Sequence, residues 1–190
     1  MSSSSGRRRA GGLALIFVVA AAVTSAAGRN EELDGKPSRV FDGDSFMLRV
    51  ERREIEIRLA DIDAPEHGQP YADTARTALD QLIWRERVRV VVLDVDKYQR
   101  KVGRVYRVRD GLDVNQKLVT DGHVWVYRRN VRDAHLYELE RAARAARRGL
   151  WALPRAELEP PWRWRRAHPR EPVRKSTSRS IPSVDSASSV

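Results

Sequence analysis

Three carboxylates and three guanidiniums in this chain are of the types that phosphate chemistry needs. Asp44 follows the Asp42-Gly43 turn, and Asp63 and Glu66 flank Ala64-Pro65. Oxygen donors without a His or Cys partner favour Ca²⁺ or Mg²⁺ over zinc, and the chain contains no cysteine at all. Arg58 precedes Asp63 in the same segment, and Arg100 and Arg104 lie further on. A phosphodiester under attack gathers charge on its oxygens, which a planar guanidinium meets two at a time. A cation held by carboxylates neutralises the same phosphate, and a free carboxylate takes the proton of the attacking water. Taken singly, DGDS is an ordinary turn and DAPE an ordinary loop. The chemistry therefore depends on elements that bring these residues to one place.

Those elements are legible as alternating strand and helix patterns. Arg39 to Arg49 reads as two strands around the Asp42-Gly43 turn, and Glu54 to Leu59 as a half-buried strand with Ile55 and Ile57 on one side. Arg87 to Leu93 and Val102 to Val108 repeat the alternation, with Asp110-Gly111 as a turn after the latter. A helix is expected from Pro70, with Ala72, Ala75, Leu79 and Leu82 as its apolar face. A short one covers Val114 to Thr120, and a third runs from Ala134 to Arg148, stopped by Gly149. Short strands and about three packed helices predict an α+β fold, a small β-barrel with helices outside. Within it, Arg100 falls at the loop end of its strand and Arg104 well inside.

The ends of the chain differ from this middle. Arg7, Arg8 and Arg9 precede an apolar run from Leu13 to Val23 and small residues through Ala26 and Ala27. Residues 1–28 read as an export signal, or as an uncleaved membrane anchor, and either places the body outside the cytoplasm. Residues 29–37 read as a linker. From Pro154 to Val190 prolines, serines and arginines dominate, and this stretch reads as a basic disordered tail. Within it, Trp162-Arg163-Trp164-Arg165-Arg166 suits base stacking or a membrane interface, or is a solvated or docked stretch. The formal net charge of +10 rules out an acidic solvating chain and points to a polyanionic partner.

Taken together, VFDGDS at 40–45, RLADIDAPE at 58–66 and DKYQR at 96–100 resemble the staphylococcal nuclease (thermonuclease) family. Gln69-Pro70-Tyr71, Asp113-Val114-Asn115 and Gly149-Leu150-Trp151 add to the likeness, which covers Ser38 to about Leu153. The resemblance implies a five-stranded OB-fold-type barrel with three helices, and Ca²⁺-dependent hydrolysis of DNA and RNA. It implies that Asp44, Asp63 and the carbonyl of Ala64 hold the ion, with Asp42 supporting them nearby. Glu66 matches the general base, Arg58 and Arg100 the phosphate-holding arginines, and Lys97 and Tyr98 nucleotide contacts. Tyr127 is the nearest match to a stacking tyrosine.

The sequence departs from the family pattern in places. Ala64 replaces a threonine, Gln99 replaces a glycine in the loop before Arg100, and Asp61 adds a carboxylate. His67 and Asp61 stand as rival bases, while His123, His135 and His168 read as structural or solvated. The expectation is an exported, monomeric, calcium-dependent nuclease acting on DNA, RNA or both, with membrane contact through the N-terminal segment. The alternative is a catalytically weak OB-fold that only binds single-stranded nucleic acid. The joint presence of Asp44, Arg58, Asp63, Glu66 and Arg100 favours the enzyme.

Overall fold

Seven strands and four helices make up the computed structural model, which describes residues 31–129 and 131–169. In chain order these are β1 (Glu32–Val40), β2 (Ser45–Val50), β3 (Arg53–Leu59), β4 (Ile62–Asp63), α1 (Ala72–Ile83), β5 (Val88–Val95), β6 (Lys101–Arg107), α2 (Val114–Thr120), β7 (Trp125–Val126), α3 (His135–Ala145) and α4 (Pro161–Ala167). Five of the strands close a barrel in the order β1-β2-β3-β6-β5. All pairings are antiparallel except β3 with β6, which runs parallel from Ile57↔Lys101 to Leu59↔Gly103. This is the expected α+β barrel of five strands, with one helix more than expected.

Alternation builds the barrel interior. Phe46, Leu48, Ile57, Leu59, Val88, Val90 and Val105 are buried with Leu79 and Ile83 of α1, Val114 and Leu118 of α2, and Leu136 of α3. Burying side chains of this kind contributes about 1.5–3 kcal/mol each. A second cluster joins Trp125, Ala143, Leu150 and Trp151, with Tyr71, Leu158 and Trp162 packed against it.

Several boundaries differ from the sequence reading, each for a local reason. β1 begins at Glu32, so most of the expected linker 29–37 is strand. Its inward positions are Leu33, Gly35 and Pro37, and two of these carry no strand signal. Gly35 is required there, because a Cβ would run into the Arg49 carbonyl oxygen of β2. Helix α1 starts at Ala72 rather than Pro70, since Tyr71 adopts a left-handed backbone. Helix α3 stops at Ala145, with Arg147 and Gly149 both at positive φ beyond it.

The largest difference lies past Pro154, where the sequence reads as a disordered tail. Arg155–Glu157 forms a 3-10 turn, and α4 follows. Pro161 sits in the first turn of α4, where its missing N–H is no loss and its fixed φ suits the helix. Trp162 then supplies an apolar anchor, its ring edge-on to Trp125 at 5.9 Å and to Tyr127 at 6.5 Å. The segments 1–28 and 170–190 lie outside the described residues.

Buried polar side chains tie the helices to the barrel end that carries the acidic residues. Asn115 of α2 donates to the Ala60 carbonyl at 2.9 Å and accepts from the Val105 N–H at 3.0 Å. Glu140 of α3 accepts from the Val126 N–H at 2.9 Å and pairs with Arg144 at 3.1 Å. The amide of Asn115 thus spans the seam at which β3 leaves β6. Asn115→Ala orphans a buried donor and a buried acceptor, and is expected to cost about 2–4 kcal/mol. Urea denaturation of the purified variant measures this, and a loss below about 0.5 kcal/mol would rule out the seam role.

Candidate active site

The acidic residues converge because three short backbone devices aim them. Asp42 Oδ1 accepts from the Asp44 N–H at 3.0 Å and from the Ser45 hydroxyl at 2.7 Å, folding the turn between β1 and β2. Gly43 lets that turn press into the fold: a Cβ there would meet the Cβ atoms of Ala75 and Ala64 at 2.7 and 2.8 Å. Asp63 is fixed by β4, which pairs with β7 through Asp63↔Trp125 and Ile62↔Val126. Glu66 and Gln69 then close a loop, with the Glu66 N–H donating to Gln69 Oε1 at 3.0 Å and the Gln69 N–H to the Glu66 carbonyl at 2.9 Å.

Arg58, at the end of β3, holds the two aspartates. Its Nη1 pairs with Asp44 Oδ2 and its Nη2 with Asp63 Oδ1, both at 3.0 Å. Nη1 also donates to the Leu59 carbonyl at 3.0 Å. Asp44 Oδ2 further accepts from the Ala64 N–H at 2.5 Å, which lays the Ala64 peptide against Asp44. Asp44 and Asp63 are 5% and 2% exposed. Burial pushes the Asp44 carboxyl well above its ordinary value; Arg58 pulls it back, while Asp42 and Asp63 add to the rise.

Arg100 stands at the start of the neighbouring strand. Asp96 shapes its loop: Oδ1 accepts from the Tyr98 and Arg100 N–H groups, and Oδ2 from Arg100 Nε at 2.7 Å. Gln99 takes a left-handed φ of 67°, the conformation for which a glycine is the usual choice, so the loop keeps its turn. Burial opposes the charge on Arg100, but Asp96, Glu56 and Asp44 together raise its pKa, so it lies within the electrostatic reach of the site. Tyr98 is exposed, with Lys97 and Arg100 both over its ring at 4.9 and 5.6 Å.

Not every sequence candidate faces this centre. Asp61 Oδ1 accepts from the Arg132 N–H and its Oδ2 lies 4.0 Å from Arg104, while Arg104 pairs with Asp133 at 3.2 Å. Both therefore belong to a separate ion cluster. His67 is exposed, and His123 bonds the Tyr71 hydroxyl at 3.0 Å. Tyr127 lies against Trp162, with its N–H on the Asp61 carbonyl.

One participant was missed. Arg165 of α4 grips both Asp63 oxygens at 3.1 and 2.8 Å and Glu66 Oε1 at 2.6 Å. In the sequence it is one arginine among many in a Pro-rich segment. The Trp162–Arg166 cluster stands out in the sequence, with docking among its readings, but nothing there assigns Arg165 to the acidic residues.

The donor set suits a hard divalent cation: Asp44 is buried at a cost that a cation would relieve, Asp63 lies beside it, and the Ala64 main chain is adjacent. Among the described residues no group of three or more His, Asp or Glu side chains is arranged to hold a metal. Two carboxylates and a main-chain oxygen do not require one.

Residues 56–153 match the family model described as staphylococcal nuclease homologue. The chain is similar to a protein named micrococcal nuclease from Shigella flexneri, 41% identical over 145 residues, covering 72% of this chain and 82% of that one. It is similar to an uncharacterized endonuclease of Escherichia coli O157:H7, 38% identical over 134 residues, covering 70% of this chain and 86% of the relative. A probable staphylococcal-like nuclease of rice, CAN2, is 40% identical over 114 residues, which span 60% of this chain and 30% of that one.

The raised pKa of Asp44 has a stability consequence. A carboxyl whose folded pKa exceeds its unfolded value contributes stability below the unfolded value, and loses it as pH rises through the folded one. At neutral pH the Asp44 charge is therefore a burden. Asp44→Asn, which keeps an acceptor for the Ala64 N–H, should raise the melting midpoint at pH 8. At pH 4 the gain should shrink or vanish. Thermal melts of the metal-free proteins at both pH values check this.

Proposed function

Because the chain belongs to the family of staphylococcal nuclease homologues, we propose that it is a metal-dependent nuclease hydrolysing phosphodiester bonds of DNA, RNA or both, with Ca²⁺ as the ion. The observation that carries this reading is the convergence of Asp44, Arg58, Asp63 and Glu66 at one barrel end, with Arg100 at the adjoining strand start. Asp44, Asp63 and the Ala64 carbonyl would hold the ion. When bound, it neutralises phosphate charge and acidifies water.

The chain's own residues supply the rest. Glu66 accepts the proton of a water attacking the phosphorus in line with the leaving oxygen. Arg58 and Arg100 contact the phosphate oxygens, where charge builds in the transition state. For Arg58 this means sharing a guanidinium already oriented by Asp44 and Asp63, so little ordering remains to be done when substrate arrives. Asp96 does the same for Arg100. The exposed ring of Tyr98 and the ammonium of Lys97 offer a nucleotide base and backbone a stacking face and a charge. Tyr127 would add a second aromatic contact. The site draws on one chain, which suits a monomer. The arginine-flanked apolar segment near the N-terminus supports export, with cleavage or retention as a membrane anchor.

Chelation by EDTA should abolish cleavage of plasmid DNA or RNA while leaving the circular dichroism spectrum nearly unchanged; full activity in EDTA would end the metal assignment. Glu66→Gln should lower turnover about 10²–10⁴-fold, with nucleotide affinity nearly intact. Arg100→Ala should lose about 10²–10³-fold in kcat with a normal melt, the weight of one preorganised charge-assisted contact. Arg104→Ala should act through the melting midpoint instead, since its partners are Asp133 and Asp61. The reverse pattern would move the phosphate clamp from Arg100 to Arg104.

A further inference from the structure

Arg165 lies beyond the region matched by the family model, yet it makes the shortest ion pair of the site, 2.6 Å to Glu66 Oε1. Its two terminal nitrogens cover both oxygens of Asp63, and one of them also holds Glu66 Oε1. The placement is enforced from two sides. Upstream of α4, buried Gln69 donates to the Glu159 carbonyl while accepting from the Glu66 N–H, which ties the approach to α4 to the Glu66 loop itself. Within α4, Trp162 packs against the cluster of Trp125, Leu150 and Trp151. Strand β7, which carries Trp125, is the partner of Asp63. The same two elements that set the carboxylates therefore also set the guanidinium.

Arg58 and Arg165 already share Asp63, and a divalent ion cannot join both of them on these terms. Asp63 Oδ1 serves Arg58 and Arg165, and its Oδ2 serves Arg165. A divalent ion on that carboxylate needs one of those lone pairs, and its charge repels a guanidinium at contact distance. With its Oε1 in a charge-assisted bond, Glu66 is also poorly placed to receive a proton there. Arg165 keeps nearly half its side-chain surface in solvent, so a path of release is open without unfolding the barrel.

We propose that Arg165 is a tethered competitor for the catalytic cation: α4 holds it on Asp63 and Glu66 in the metal-free protein, and metal binding expels it. This rests on the assignment of Asp63 as ligand and Glu66 as base. The neighbouring Arg166 of α4 is exposed and takes no part in these contacts, which makes it a control for loss of charge alone.

Isothermal titration calorimetry with CaCl₂, on the full chain without nucleic acid, tests the proposal. Arg165→Gln should bind Ca²⁺ at least about fivefold more tightly than the wild type, the lower end of a typical coupling between two ligands. Arg166→Gln should stay within about twofold. Trp162→Ala keeps every charge and removes the ring that seats α4, so it should tighten binding in the same direction and decides the matter if Arg165→Gln does not fold. Equal or weaker Ca²⁺ affinity in Arg165→Gln overturns the proposal, and with a loss of kcat/KM it makes Arg165 a third phosphate contact. An Arg166→Gln effect as large as that of Arg165→Gln also overturns it, reducing it to bulk charge. Absence of Ca²⁺ binding in all variants removes the metal assignment itself, and the competition with it.

Discussion

Two buried carboxylates, Asp44 and Asp63, sit on either side of one guanidinium. Arg58 reaches both at 3.0 Å, and their mutual repulsion is tolerable in a dry environment because that charge lies between them. It does not fully compensate, since Asp44 still holds its proton more tightly than a solvated aspartate. Arg165 of α4 adds a second guanidinium on Asp63, so the barrel end gathers positive charge from two sides. Such an environment is costly to build and ready to bind positive charge, as functional sites often are.

The remaining architecture can be understood as support for that arrangement. Arg58 arrives at the last turn of the β3 pleat because Ile57 and Leu59 on either side are drawn into the core. The Asp42 turn delivers Asp44, and the small side chains of Ala75 and Ala64 leave room for Gly43 to bring it close. β4 is only two residues long, yet its pairing with β7 is backed by the buried carboxylate of Glu140 on the Val126 N–H. Each support is a satisfied polar group or a close contact, and such features define one geometry more sharply than apolar packing does.

The barrel was legible because its strands alternate and its helices carry apolar stripes of ordinary period. Asp44, Arg58, Asp63 and Glu66 stood out through the order and spacing of the motif, although residues twenty positions apart in sequence meet only through strand pairing. Strand β1 was partly hidden, since Gly35 and Pro37 occupy inward positions that carry no hydrophobic signal. Residues 155–167 depart from the compositional reading of a disordered tail because composition describes average behaviour, although docking of the Trp162–Arg166 stretch was one reading of it. One indole at Trp162 and one fixed φ at Pro161 outweigh many polar neighbours. Arg104 was already legible as lying well inside its strand, in an ion-pair role, whereas Asp61 looked eligible by type and only the backbone path, with its positive φ, directs it to the Arg104 cluster.

The parallel seam between β3 and β6 joins Ile57–Leu59 to Lys101–Gly103, residues far apart in the chain. The hairpins β2–β3 and β5–β6 close short loops and can form early, whereas this seam must pay the closure entropy of everything between. Arg58 belongs to the first hairpin, and Arg100 lies in the loop of the second. Before the seam forms, the two guanidiniums belong to separate pieces and no phosphate can meet both. Neither hairpin by itself brings Arg58 near Arg100; their nearness is a product of long-range pairing alone.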